Sequence, residues 1–136
     1  MPDGARKPIR QRLLAPEVSP PSVFLDPASM PWETSAFPGI QSKTLYNDAS
    51  GMCTLLFKLE PGAVVPLHEH TAVEQTYVLE GSFIDDEGEC LPGQFVWRPG
   101  GNTHVAWAGP QGAVILSMFM KPNHFEAGHK FFTQKD

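Results

Sequence analysis

A chain of 136 residues is long enough for one domain with its own core, and a net charge of −5 works against a phosphate-backbone partner, so no nucleic acid is expected. Fourteen prolines and twelve glycines argue against long helices and for short strands joined by turns. No apolar run is long enough for a membrane-spanning helix, and no membrane association is expected.

The first 38 residues are set apart. Eight of the fourteen prolines precede Gly39, and Arg6, Lys7, Arg10 and Arg12 face a lone acid, Asp3, in that opening stretch. The expectation is an irregular arm over residues 1–38, its basic tip either solvated or docked on a partner subunit. Regular secondary structure is expected only from about Phe37, with Trp32 and Phe37 tacking the arm onto the domain. The basic start is followed by no apolar stretch of signal-peptide type, and the expected location is cytoplasmic.

From Gly39 to Asp136 the texture changes to that of one all-β domain. The runs GIQSKTLY, MCTLLFKLE, EQTYVLEGSFI, GQFVW and GAVILSMFM are of strand length and are separated by Gly, Pro, Asp and Asn. Short strands at regular spacing imply a sandwich or barrel. DDEG at 85–88 reads as a hairpin turn. Alternation assigns faces. Leu55, Phe57 and Leu59 lie opposite Lys58 and are expected inside. If Glu74 faces inward, Thr76 and Val78 follow it while Tyr77 and Leu79 face out. Met118 and Met120 share a face with Leu116 and are counted toward an apolar wall around a pocket. Cys53 and Cys90 form no CxxC and read as small core residues, not as a disulfide framework or nucleophiles.

The chemistry concentrates in residues 62–104. His68 and His70 are two apart on an extended segment, so both imidazoles share one face and Glu69 takes the other. Glu74 follows at the start of the next strand, and His104 lies beyond a Pro-Gly-Gly turn. Three imidazoles and a carboxylate suit Fe(II), Mn(II), Ni(II), Zn(II) or Cu(II) better than Mg(II) or Ca(II). Four protein ligands also leave open positions on a six-coordinate ion, unlike a closed structural zinc site. His124 and His129 lie past the last strand run and read as surface or interface residues.

These residues stand in a recognisable frame. Residues 62–81 read G-x5-H-x-H-x3-E-x6-G, and residues 93–104 read G-x5-P-x-G-x2-H. Both resemble the paired motifs of the cupin superfamily. Ala108 departs from the pattern, which has Asn there. The resemblance implies a cupin fold, a double-stranded β-helix or jelly-roll-like barrel, with one divalent metal ion on His68, His70, Glu74 and His104. The tract YVLEGSFIDDEGECLPGQFVWRPGGNTH looks like the metal-binding cupins related to ChrR-type anti-sigma factors. The same layout with the late KPNHF tract resembles small dioxygenases that cleave acetylacetone or dihydroxyacetophenone. The first resemblance implies a zinc-holding sensor or binding module. The second implies a non-haem Fe(II) dioxygenase that cleaves a C–C bond in a small diketone or hydroxy-ketone, with a small-molecule substrate. It also leaves open whether Glu74 ligates or orients, because three His suffice in the diketone-cleaving relatives. A homodimer is expected from resemblance alone.

Overall fold

The computed structural model describes residues 19–126 and 128–134; the basic cluster Arg6–Arg12 lies outside them. A 3-10 turn at Pro27–Ser29 is followed by nine strands: β1 Glu33–Thr34, β2 Ile40–Asn47, β3 Cys53–Leu59, β4 Val64–Glu69, β5 Glu74–Asp85, β6 Gly88–Cys90, β7 Phe95–Arg98, β8 Thr103–Phe119 and β9 His124–Phe125. All pairings are antiparallel. The all-β expectation holds, with no α-helix among the described residues and no helix long and apolar enough to cross a membrane. Regular structure begins slightly earlier than expected, because Glu33–Thr34 already pairs with Ser42 and Gln41 of β2.

The sheet curls around β5 and β8. These two long strands pair from Glu74↔Phe119 to Ile84↔Trp107. The C-terminal half of β8 also pairs with β3, and its N-terminal half pairs with β4. One strand therefore serves both walls. β8 begins well before the GAVILSMFM run: THVAWAGPQ is also strand, and that extension brings His104 opposite His68.

Alternation places most faces correctly. Cys53, Leu55, Phe57 and Leu59 line the interior, as do Thr76 and Val78, while Tyr77 and Leu79 are exposed. The Leu116–Met118–Met120 face is the exception. Those residues do share a face, but it is the outer one; Ile115, Ser117 and Phe119 point inward. The cause is a change of parity within β8. His104, Ala106 and Ala108 are inward at even positions, whereas Ala113 to Phe119 are inward at odd ones. β5 changes parity at the same level, from Glu74, Thr76 and Val78 to Phe83 and Asp85, through register shifts at Val78/Glu80 and Gly81/Phe83. A bulge inserts one residue and swaps the faces of everything beyond it. The strands touch most closely where they bend. Gly81 has φ +70°, and a Cβ there would collide with the carbonyl of Gly112, so only glycine fits.

An aromatic cap closes one end of the barrel. Phe37 stacks against Phe125 at 5.0 Å, Phe57 against Phe132 at 4.6 Å, and Phe119 against Phe131 at 4.8 Å. Phe37 thus tacks the N-terminal segment to the barrel. Trp32 does so on the outside, where Lys43 Nζ sits 4.4 Å from its ring and donates to the Pro27 carbonyl at 2.7 Å. Cys53 and Cys90 are free and buried, and burial pushes the Cys53 thiol up to about 11 and raises that of Cys90. Neither is poised as a nucleophile.

Candidate metal centre

His68, His70, Glu74 and His104 come together inside the barrel, all buried, with one ligand atom from each lying within 4.8 Å of the others. Three segments deliver them. His68 is on β4, just past a register shift at Val65/His68. His70 follows β4, and its backbone is clamped to the next turn: its N–H donates to the Asn102 carbonyl at 2.8 Å, and its carbonyl accepts from Gly101 N–H at 2.6 Å. That turn leads directly to His104, so the two motif halves are tied by main-chain bonds. Glu74 opens β5.

The ring nitrogens sort into braced and unbraced. His68 Nδ1 donates to the Pro66 carbonyl at 2.7 Å, because a carbonyl oxygen can only accept. His104 Nδ1 donates to Asp85 Oδ2 at 2.7 Å. Both contacts fix the tautomer and leave the Nε2 lone pair free to face the cluster. His70 is different. Its Nδ1 stands 2.6 Å from Glu74 Oε2 but out of line for a hydrogen bond, and neither of its nitrogens has a hydrogen-bond partner among the described residues. A fully buried imidazole with two idle nitrogens is costly unless something else binds it. A cation between His70 and Glu74 removes that cost, so the donor set fits a divalent metal.

Asp85 is the residue that sequence reasoning missed. It was legible only as part of a turn, and the turn is there: Asp85 pairs with Gly88 across the hairpin. Its Oδ1 accepts from the backbone N–H groups of Glu87 at 2.8 Å and Gly88 at 3.1 Å. Its Oδ2 accepts from His104 and from Arg98 Nη1, the latter at 2.6 Å. One carboxylate thus shapes the hairpin and orients a site imidazole. Burial alone would raise its pKa, but the His104 hydrogen bond, the turn N–H groups and the Arg98 charge together hold it below the usual carboxylate range. Burial lowers His68 to about 4, with the other two imidazoles adding to the effect. Burial and the Arg98 charge lower His104. Both rings are therefore neutral at pH 7 and available as ligands.

The cluster borders a cavity of about 30 Å³. Its other walls are mostly apolar and include Phe57, Val65, Phe125 and Phe132, with Ser117 and Asn123 the uncharged polar exceptions. His124 and His129 stay outside it and are exposed, as expected of surface residues; the His129 ring meets the edge of Phe37 at 5.1 Å.

The ChrR cupin-like domain family matches residues 21–128, most of the chain. The chain belongs to this family. Solved structures agree with the cupin fold. The chain superposes with a TM-score of 0.72 on a candidate acetylacetone dioxygenase from Methylibium petroleiphilum PM1, at 16% identity over 85% of this chain and 89% of that one. An acetylacetone dioxygenase from Acinetobacter johnsonii gives a TM-score of 0.67 at 16% identity, covering 83% of both chains. The anti-sigma ChrR complexed with SigE from Rhodobacter sphaeroides gives 0.60 at 23% identity, over 67% of this chain and 50% of that one. No curated protein sequence matches the chain. The ChrR-like cupin described here thus shares its fold with proteins named for catalysis and with one named for binding a sigma factor.

Proposed function

We propose that this protein is a metal-dependent cupin in which His68, His70, Glu74 and His104 hold one ion, Fe(II) in the working form, and that it is a dioxygenase cleaving a C–C bond in a small diketone or hydroxy-ketone. The observation that carries the metal reading is the buried His70 ring with two idle nitrogens, facing a carboxylate. The fold shared with acetylacetone dioxygenases supports the reaction class. Bound Fe(II) would supply Lewis-acid polarisation of an enolisable carbonyl and redox chemistry toward dioxygen. The chain's own residues do the rest. Pro66 and Asp85 hold two imidazoles in the ligating tautomer, and Phe125 and Phe132 exclude water from the apolar side of the cavity.

The cavity favours a second reading. About 30 Å³ holds an ion and a water, far less than the ~300 Å³ and upward of ordinary small-molecule sites. So small a space beside the polar cluster suits a zinc-holding sensor or binding module; catalysis on a diketone requires the Phe125–Phe132 side to part. Elemental mass spectrometry of protein purified without chelator and without air separates the two. About one iron per chain, with oxygen uptake on adding acetylacetone or a hydroxyacetophenone, supports the dioxygenase. Zinc retention with no uptake after iron reconstitution supports the module. A metal-free protein that takes up neither ion overturns both.

A further inference from the structure

One buried polar group beside the cluster has no part in the metal reading. Asn123 is 8% exposed, lines the same cavity as His68, Glu74 and His104, and its Oδ1 has no hydrogen-bond donor among the described residues. Its placement is fixed from both sides. Two residues on, Phe125 is buried with its ring 5.1 Å from that of His68, while His124 between them faces out. On the preceding side, the Thr71 hydroxyl donates to the Pro122 carbonyl at 2.8 Å, tying the turn that carries Asn123 to the residue next to His70. A buried amide oxygen without a donor is destabilising for the empty protein. The cavity that Asn123 lines offers a place for such a donor, on a water or on a ligand.

We infer that Asn123 is a positioning residue that accepts a hydrogen bond, through Oδ1, from a hydroxyl of the molecule held at the metal. This rests on the proposed function, with the Phe125–Phe132 side parted to admit the ligand, and narrows it. An acceptor selects a ligand that brings an O–H, so a hydroxy-ketone is held better than a diketone, which chelates as an enolate and brings none. No Lys or Arg among the described residues lines the cavity, so the ion would be the positive charge that an acid meets there.

The test compares wild type with Asn123→Leu, both loaded with Co(II), by titrating hydroxyacetone and, separately, acetylacetone into the visible d–d bands without any turnover. The variant is expected to keep one Co(II) per chain and to bind hydroxyacetone about tenfold more weakly, with acetylacetone little changed. The metal-free variant is expected to melt at the same or a higher temperature, since it loses an unsatisfied buried group; a structural role for Asn123 would lower it. Asn123→Asp, of the same size, keeps the acceptor and is expected to retain hydroxyacetone binding better than the Leu variant. Equal weakening of both probes, no weakening of either, or a wild type that loads Co(II) without binding hydroxyacetone overturns the assignment while leaving the metal site standing. A wild type that loads no Co(II) overturns the proposed function itself, and the assignment with it.

Discussion

His104 and His70 sit in one cluster, yet the fold treats them in opposite ways. His104 is braced by Asp85, which Arg98 and two turn N–H groups hold in turn. His70 is clamped through its backbone, and its ring lies in close contact with Glu74 but has no hydrogen-bond partner for either nitrogen among the described residues. A braced imidazole is stable with or without an ion. An unbraced one at 0% exposure is costly in the empty barrel, and a bound ion would offset that cost. The contrast separates the part of the site that is braced within the fold from the part whose ring nitrogens an ion could complete.

The largest expected effect tests whether both rings ligate. His70→Ala or His104→Ala should reduce metal from about one ion per chain to near none by elemental analysis, with the far-ultraviolet spectrum of the barrel retained. Full retention in both variants breaks the comparison at its root. Next, Asp85→Ala should weaken metal binding by about 10- to 100-fold, because His104 loses its orienting acceptor. It should also destabilise the fold by about 3 kcal/mol in chemical denaturation, since buried Arg98 keeps only the longer, exposed contact to Glu87 at 3.6 Å. Unchanged affinity in a folded Asp85→Ala protein would show that the brace does not serve the site.

A pH series probes the same contrast more finely. His68, at about 4, and His104 both lie below the ordinary 6.5, so the unfolded chain binds protons that the fold excludes. Stability of the metal-free protein should therefore be fully present above pH 6.5 and decline as pH falls toward 4. Asp85, held low, stays ionised in the fold across that window and adds to the decline only near pH 4, where the unfolded carboxyl begins to take up protons. A metal-free protein whose denaturation midpoint is flat from pH 7 to pH 4.5 would contradict the burial of these rings. The smallest effect belongs to the other side of the sheet. Trp97 is 60% exposed on the outer face, and Trp97→Ser should shift stability by no more than about 0.5 kcal/mol and leave metal content unchanged. A loss of metal there would mean that the outer face supports the site.

Much of the fold was legible because strands obey a period of two over short distances. The β3 pattern placed Leu55, Phe57 and Leu59 inside without any tertiary information, and His68, His70, Glu74 and His104 were readable from their spacing. Readings failed where a strand bends. Period two says which residues share a face but cannot say which face, and a bulge resets the count. Hence Leu116, Met118 and Met120 turned out to be external, and Asp85, at an odd position on β5, came to the same interior as Glu74 at an even one. Asn123 was noticed only as part of the KPNHF tract, because its place beside the cluster depends on β9 folding back onto β4.

The sequence by itself determined the strand-rich class, the four residues of the cluster and the turn chemistry between them, since these come from local alternation, residue type and spacing. Only the tertiary structure decided which imidazoles are braced, how small the cavity is, and that Phe125 and Phe132 wall it. Those features depend on where two bent strands cross and on which distant segments meet there, and no local pattern encodes a meeting between residues far apart in the chain.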